Sequence, residues 1–152
     1  MKNKNPMKKL KILFLCTGNS CRSQMAEAFA KHYHKDKYEF YSAGTQIHGM
    51  NQNAIKVMGE IGIDISTQYS KTIEEFTKMD FDVVFTVCDN AQKSCPSTKV
   101  SAKNIIHVGF DDPPVLVKNQ TPDQEELLPY RKVRDQIKQF IINIENYYDQ
   151  KQ

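Results

Sequence analysis

The sequence lacks any long run of apolar residues. Uninterrupted apolar stretches such as ILFLC at 12–16 and VVF at 83–85 are short, whereas a membrane-spanning helix needs about 20 such residues. They are also too short for the apolar segment of a signal peptide. Low-complexity tracts and internal repeats are missing as well, which argues against fibrous and repeat architectures. A chain of 152 residues therefore predicts one globular domain with a single core.

Acidic residues are missing from the first 26 positions, which hold five lysines and Arg22, although the whole chain carries a net charge of only +3. We predict a basic N-terminal tail over residues 1–10 and one domain over residues 11–148. The tail is either a solvated end or a weak electrostatic guide for an anionic substrate. Nucleic-acid binding is not expected, because no basic patch interleaved with aromatic residues recurs elsewhere.

The four cysteines, Cys16, Cys21, Cys88 and Cys95, are too few for a disulfide scaffold. We expect a cytoplasmic protein, in which cysteines are thiols, metal ligands or catalysts rather than structural bridges. The spacings of five and seven residues are not the usual ones for zinc ligands. His32 and His34 lie two apart on a predicted helix and face different ways. No metal site is predicted.

Short apolar segments alternate with segments of helical periodicity. Strands are predicted at KILFLC (11–16), YEFYSAG (38–44), FDVVFTVC (81–88) and NIIHVGF (104–110), the last two buried on both faces. Helices are predicted at MAEAFAKHY (25–33), after an Asn51 cap, after a capping-box pattern at Thr72 and Glu75, and from near Pro129. The alternation favours an α/β domain with a four-stranded parallel sheet flanked by helices on both faces.

Helical spacing also predicts which side chains face the core. They are Met25, Ala26, Phe29, Ala30 and Tyr33 in the first helix, Ala54, Val57, Met58 and Ile61 in the second, and Tyr130, Val133, Ile137, Phe140, Ile141 and Ile144 in the last.

The segment CTGNSCRS, residues 16–23, links the first strand to the first helix. Its small residues, with Gly18 among them, allow successive N–H groups to turn inward at a helix N-terminus and hold a tetrahedral oxyanion. The Arg22 guanidinium can grip two oxygens of that anion. The predicted oxyanion-binding residues are Thr17, Gly18, Asn19, Ser20, Cys21 and Arg22.

Cys16 lies below the predicted anion. The helix end and Arg22 should favour its thiolate, which would make it a nucleophile near neutral pH. Asn19 and Ser23 are predicted to brace the loop, and Ser23 can donate a hydrogen bond to the Cys16 sulfur.

A leaving oxygen needs a proton, and GFDDPP at 109–114 offers an acid at another strand end. Asp112 is the predicted acid, Asp111 is a close alternative, and an ordinary Asp-Pro turn without catalytic role is a third reading. His48 and His107 are interpreted as structural histidines rather than bases.

These segments together resemble a known family. CTGNSCRS, with the later Asp-Pro pair, is similar to the low-molecular-weight protein tyrosine phosphatase superfamily from about Lys11 to Ile144. FLCTGNSCRSQMAEA, YSAG, IDIS, VCDNAQKSCP, GFDDP and RKVRDQIK resemble most the thioredoxin-coupled arsenate reductases within it. The resemblance implies the fold predicted above, with arsenate as substrate, phosphate as a competing anion, thioredoxin as reductant and no cofactor.

The resemblance also gives the extra thiols a role. Phosphate cannot be reduced here, but arsenate can accept two electrons from thiols. In the family, the roles of the thiol relay fall on positions that match Cys16, Cys88 and Cys95, with Arg22 and Asp112 assisting. The polar segment CDNAQKSC, 88–95, is predicted to be mobile, so that a disulfide moved there can meet a reductant. Cys21 is expected to shape the loop.

Some reductases of the family bind a potassium ion through residues that match Asn19, Glu27, Ser42 and two more, which are Tyr69 and Lys71 here. Because an ammonium on Lys71 would oppose a cation, no potassium stimulation is expected.

Two other functions stay open. One is a phosphotyrosine phosphatase that uses Cys16, Arg22 and Asp112, although Pro114 and Val115 stand where such enzymes usually have aromatic residues. The other is a thiol-based arsenite or metal sensor without turnover.

Overall fold

The structure is a computed structural model that describes residues 9–88 and 100–148. Most of the predicted basic tail, residues 1–8, and the third predicted relay thiol, Cys95, lie outside the described residues. In the two described ranges, no helix is long and apolar enough to cross a membrane.

Four strands form one parallel sheet, as the alternating pattern predicts. They are β1 (Leu10–Cys16), β2 (Tyr38–Gly44), β3 (Asp80–Cys88) and β4 (Ser101–Phe110), in the order β2-β1-β3-β4. Successive strand residues point to opposite faces. Because Ile12, Leu13, Phe14 and Leu15 are all fully buried, the centre of the sheet is covered on both sides.

Five α-helices are described. They are α1 (Arg22–His34), α2 (Gln52–Glu60), α3 (Pro113–Lys118), α4 (Leu127–Ile142) and α5 (Glu145–Tyr148), with a 3-10 helix at Ile73–Phe76. On one face of the sheet, Phe140 of α4 packs edge-on against Phe14 and Phe85. On the other, Phe76 of the 3-10 helix packs against Tyr41 of β2. The predicted fold class is confirmed.

The prediction that β4 is buried on both faces is wrong. Its residues alternate between exposed and half-buried, and the side chain of Ile105 is 48% exposed. The strand lies at the sheet edge with β3 as its hydrogen-bonded neighbour, so one face lacks the cover that the central strands have. The apolar run IIHV in the sequence does not show that the strand lies at the edge of the sheet.

Three smaller expectations also fail. Tyr33, predicted to face the core, is 41% exposed, and its ring lies on the surface against Phe29 and His32. Ile61 caps α2 and is exposed rather than buried. Thr72 precedes a short helix as expected, but its side chain makes no cap hydrogen bond; the backbone N–H of Glu75 bonds to the Thr72 carbonyl instead.

The strand order places the carboxyl ends of β1 and β3 together. The chain leaves β1 to form β2 on one side and returns to form β3 on the other, so the order reverses at these two strands. In open α/β sheets, ligands bind beyond the carboxyl ends of the strands at such a switch point. Cys16 ends β1 and Cys88 ends β3.

Candidate active site

The loop between β1 and α1 presents its backbone N–H groups to a pocket of about 430 Å³. Its carbonyl groups point the other way, where neighbouring segments bond them. Thr17 O accepts from Thr45 N and Gln46 N (2.8 and 3.0 Å), Gly18 O from His48 N (3.1 Å), and Ser20 O from Asn51 N (3.0 Å).

The carbonyl of Asn19 is also held from outside, by the Ser70 hydroxyl at 2.8 Å. In a planar trans peptide, C=O and N–H point in opposite directions. The N–H groups of residues 18–21 therefore converge on the pocket. This is an anion-binding nest at the N-terminus of α1.

Asn19 holds the loop in shape. It is fully buried and has φ = 50°, a left-handed conformation that asparagine tolerates better than most residues. Its Nδ2 donates to Ser23 Oγ at 2.8 Å and to Ser42 Oγ at 3.0 Å. Its Oδ1 accepts from Lys71 N and from Gln24 Nε2, both at 2.8 Å. The bracing role predicted for Asn19 fits this geometry, whereas donation from Ser23 to the Cys16 sulfur stays a prediction.

Arg22 is the first residue of α1, and its guanidinium reaches the end of β4. It is buried, donates to Phe110 O at 2.9 Å and lies 3.5 Å from Asp112 Oδ1. Asp112 precedes α3, which begins with Pro113 at a position that favours proline. Asp112 lines the pocket, whereas Asp111 is exposed. The geometry therefore favours Asp112 over Asp111 as the predicted acid.

Cys16 and Cys88 meet at the base of the site. Both thiols are buried, and the two side chains are in contact. This contact and burial raise the pKa of Cys16 well above its usual value, although Arg22 and the Thr17 N–H act in the opposite direction. The expectation that the helix end and Arg22 make the Cys16 thiolate the favoured form is therefore wrong. The partner thiol on the adjacent strand outweighs the arginine.

Cys21 differs from Cys16 in its surroundings. Burial raises the pKa of its thiol to about 12, against a smaller lowering by Arg22. The pKa of Cys16 is raised as well, so protonation does not separate the two thiols, but Cys88 is a cause of the shift of Cys16 and not of that of Cys21. This agrees with the loop-shaping role predicted for Cys21.

A buried ammonium stands beside the loop. Lys71 Nζ donates to Tyr69 O at 2.9 Å and lies 3.9 Å from Glu27 Oε1, and Ser42 donates to the same carboxylate oxygen. Burial lowers the pKa of Lys71, while Glu27 raises it. The oxygens that would ligate a potassium ion thus face a positive charge already, so these residues do not fit the ion. Within 9–88 and 100–148, no three His, Cys, Asp or Glu side chains cluster as ligands of a metal.

The sequence did not reveal the side chains and glycine that brace the loop from outside. Gln24 Nε2 donates to both the carbonyl and the side-chain oxygen of Asn19. Gly44 ends β2 beneath the loop, and His48, predicted to be structural, lines the pocket. Pro114 forms another part of the wall. These positions are distant in sequence and only the fold brings them together. The one signal in the sequence was Gly44 at the end of YSAG, because a glycine there allows another backbone segment to approach closely.

Replacing Gly44 by alanine should deform the loop. A β-carbon there would lie 2.6 Å from Thr17 O and 2.8 Å from Asn19 N, both backbone atoms. We expect a loss of stability of about 1–3 kcal/mol and a large loss of phosphate affinity. Urea unfolding and phosphate calorimetry measure the two effects.

Gly59→Ala is the matched control for Gly44→Ala. Its β-carbon would meet nothing within 4 Å, and it lies within α2, where alanine is favoured over glycine by roughly 1 kcal/mol. Equal effects of the two substitutions would contradict the role given to Gly44.

Known proteins resemble this chain in sequence and in fold. Residues 11–151 match the model of the low molecular weight phosphotyrosine protein phosphatase family. The chain belongs to this family. An arsenate reductase of Halalkalibacterium halodurans is 50% identical over 131 residues, which cover 86% of this chain and 91% of the relative. One of Bacillus subtilis is 48% identical over 126 residues, 83% of this chain and 88% of the relative.

Solved structures of the family agree. An arsenate reductase in the phosphate-binding state superposes with a TM-score of 0.70 at 36% identity, over 89% of this chain and 95% of that one. A tyrosine phosphatase of Erwinia amylovora has a TM-score of 0.65 at 17% identity, over 91% and 93% of the two chains, which shows a common fold alone. The resemblance to the phosphatase superfamily and its arsenate reductases is thus confirmed.

Proposed function

We propose that the protein reduces arsenate to arsenite by a thiol relay of Cys16, Cys88 and Cys95, and that thioredoxin recycles the oxidised protein in the cytoplasm. The observation that carries the proposal is the contact between the buried thiols of Cys16, which lines the pocket, and Cys88. Hydrolysis of a phosphoester needs one nucleophilic thiol. A second thiol in contact with the first is what a two-electron reduction needs.

In the first step the loop N–H groups and Arg22 hold arsenate above Cys16. Cys16 gives its thiol proton to an oxygen of the bound arsenate dianion and its sulfur attacks arsenic, and an As–O bond breaks as Asp112 gives a second proton to the leaving oxygen, which departs as water. Binding of the anion also changes the site. Arg22 is then shared between Asp112 and the oxyanion, and the new negative charge favours the protonated form of Asp112 that this step requires.

In the second step the Cys88 thiolate attacks the Cys16 sulfur. The S–As bond breaks and its electron pair stays on arsenic, so that arsenite leaves and a disulfide joins Cys16 to Cys88. Each strand end contributes one thiol to this bond, and the parallel pairing of β1 with β3 keeps the two within reach.

In the third step Cys95 attacks Cys88 and releases Cys16 as a thiolate. The disulfide now lies between Cys88 and Cys95, and two electrons from the dithiol of thioredoxin reduce it. No resident cofactor takes part.

A coupled assay tests the proposal. The reduced protein is mixed with thioredoxin, thioredoxin reductase and NADPH, and arsenate should start NADPH oxidation with one arsenite formed per NADPH. Phosphate should start none and should inhibit competitively. The proposal would be overturned if NADPH were oxidised at the same rate without arsenate. It would also be overturned if arsenate were not reduced with thioredoxin or with any other dithiol reductant.

Phosphotyrosine hydrolysis is the second candidate function. It is favoured by the loop, Arg22 and Asp112, which suffice for hydrolysis of small aryl phosphates. The wall after the Asp-Pro pair offers Pro114, with Val115 exposed, instead of an aromatic slot for a phenol ring. We therefore infer a side activity on small aryl phosphates and poor activity on phosphotyrosine peptides.

Potassium should not stimulate the reaction. The Lys71 ammonium already faces Glu27 Oε1 and Tyr69 O, and like charges in one site repel. We expect equal arsenate reduction rates and equal unfolding temperatures in sodium and potassium chloride at one ionic strength. A clear rise of either quantity in potassium would show that the ammonium leaves room for the ion.

A further inference from the structure

His48 lies at the mouth of the pocket, in the segment between β2 and α2. Its ring packs on the oxyanion loop, since a β-carbon built on Gly18 would be 2.2 Å from His48 Nδ1 and 2.6 Å from Cγ. The backbone N–H of His48 also donates to Gly18 O at 3.1 Å. Main chain and side chain together keep an exposed imidazole beside the anion position.

A hydrogen bond sets the tautomer of this ring. His48 Nε2 lies 2.8 Å from Gln46 Oε1. A carboxamide oxygen only accepts hydrogen bonds, so Nε2 carries the proton. In the neutral ring Nδ1 is then an acceptor, which repels an oxyanion, and in the imidazolium Nδ1 becomes a charged donor.

We propose that the imidazolium of His48 is a further oxyanion-binding residue, with Nδ1–H donating to an outer oxygen of the anion and Gln46 holding the ring. The proposal rests on the proposed function, because it assumes that the loop holds an oxyanion. It makes the affinity for dianions depend on whether the His48 ring carries a charge.

Among the described residues, the other ionisable groups that line the pocket are Cys16, Cys21, Arg22 and Asp112. Arg22 stays charged, the contact with Cys88 and burial raise the pKa of Cys16, and burial raises that of Cys21. Asp112 is paired with Arg22. Because a bound anion also favours the protonated form of Asp112, the effect of His48 is measured as the difference between proteins with and without this side chain.

Sulfate is the probe for the test, because it remains a dianion over the whole range, unlike phosphate or arsenate. The protein is the full chain with Cys16→Ser, so that thiol ionisation makes no contribution. Its sulfate affinity is measured by calorimetry at about pH 5.5 and pH 8, either side of the ordinary histidine titration. The same measurements are made on the Cys16→Ser protein with His48→Gln added.

We expect sulfate to bind the parent about fivefold more weakly at the higher pH, because the lost contact is a single charge-assisted hydrogen bond at an exposed side chain. The His48→Gln protein should show the weaker affinity at both. By linkage, sulfate should move the midpoint of the His48 ring titration, followed by NMR, to higher pH. His32, on the outer part of α1, is the control and should not respond.

The proposal would be overturned if the sulfate affinity of the two proteins depended equally on pH, or if sulfate did not move the midpoint of the His48 ring titration. Neither result would contradict the role of the oxyanion loop. Absence of sulfate binding at both pH values would overturn the oxyanion site itself and the proposal with it. Equal urea unfolding of the two proteins shows that the difference in affinity is not a folding defect.

Discussion

Replacing Cys16 by serine should abolish arsenate reduction and the hydrolysis of aryl phosphates alike, with a fall of at least about 10³-fold in kcat/KM for both. Serine keeps the size of the side chain but is a far weaker nucleophile than a thiolate. The loop carbonyls remain bound from outside by residues 45–51 and 70. Phosphate should therefore still bind the variant, which separates a lost nucleophile from a lost site.

Cys21→Ala is the control for Cys16→Ser, since both side chains are buried sulfurs at the two ends of the same loop. The backbone N–H of residue 21 is unchanged, and the thiol of Cys21 stays protonated at neutral pH. Activity of the same order as that of the unmodified protein is expected. If the Cys16→Ser protein still reduced arsenate, Cys16 would not be the nucleophile.

Replacing Cys88 by serine should separate the two activities. Arsenate reduction should stop, because no second thiol remains to attack the Cys16 sulfur. Hydrolysis of aryl phosphates should persist, since it needs Cys16, Arg22 and Asp112 alone. Reduction with thioredoxin present and hydrolysis of p-nitrophenyl phosphate are measured on the same preparation.

The same variant should lower the pKa of Cys16. The interaction with Cys88 is the largest cause that raises this pKa, and its removal leaves burial, which raises the pKa, opposed by Arg22 and the Thr17 N–H, which lower it. The acidic limb of the pH profile of hydrolysis should therefore move to lower pH. A Cys88→Ser protein that turns over arsenate repeatedly would contradict the relay.

Much of the fold could be predicted from the sequence because the signals are local. The runs KILFLC and FDVVFTVC become strands that are buried on both faces, and Asn51 caps α2 by accepting from Ala54 N. The exposed face of β4 was not predictable, because burial of a strand depends on its place in the sheet. The helix α3 was missed since six residues, Pro113–Lys118, give too short a pattern to tell from a turn.

The candidate site likewise has a part that local sequence predicts and a part that depends on the fold. Cys16, Arg22 and the loop form one contiguous segment, so their chemistry can be predicted from residue types and spacing. The meeting of Cys16 with Cys88 depends on the order of the strands, and the braces from Gln24, Ser42 and Lys71 depend on three further segments. The raised pKa of Cys16 follows from that meeting, which is why local reasoning gave the opposite direction.

The most direct test of the relay uses the fully reduced protein and arsenate, with no other reductant. Free thiols are counted, arsenite is assayed and the disulfide is mapped, with phosphate in place of arsenate as the control. The account predicts that two of the four thiols disappear for each arsenite formed, and that Cys88 is joined to Cys95. If all four thiols persist while an aryl phosphate is hydrolysed, the protein is a phosphatase and the account is wrong.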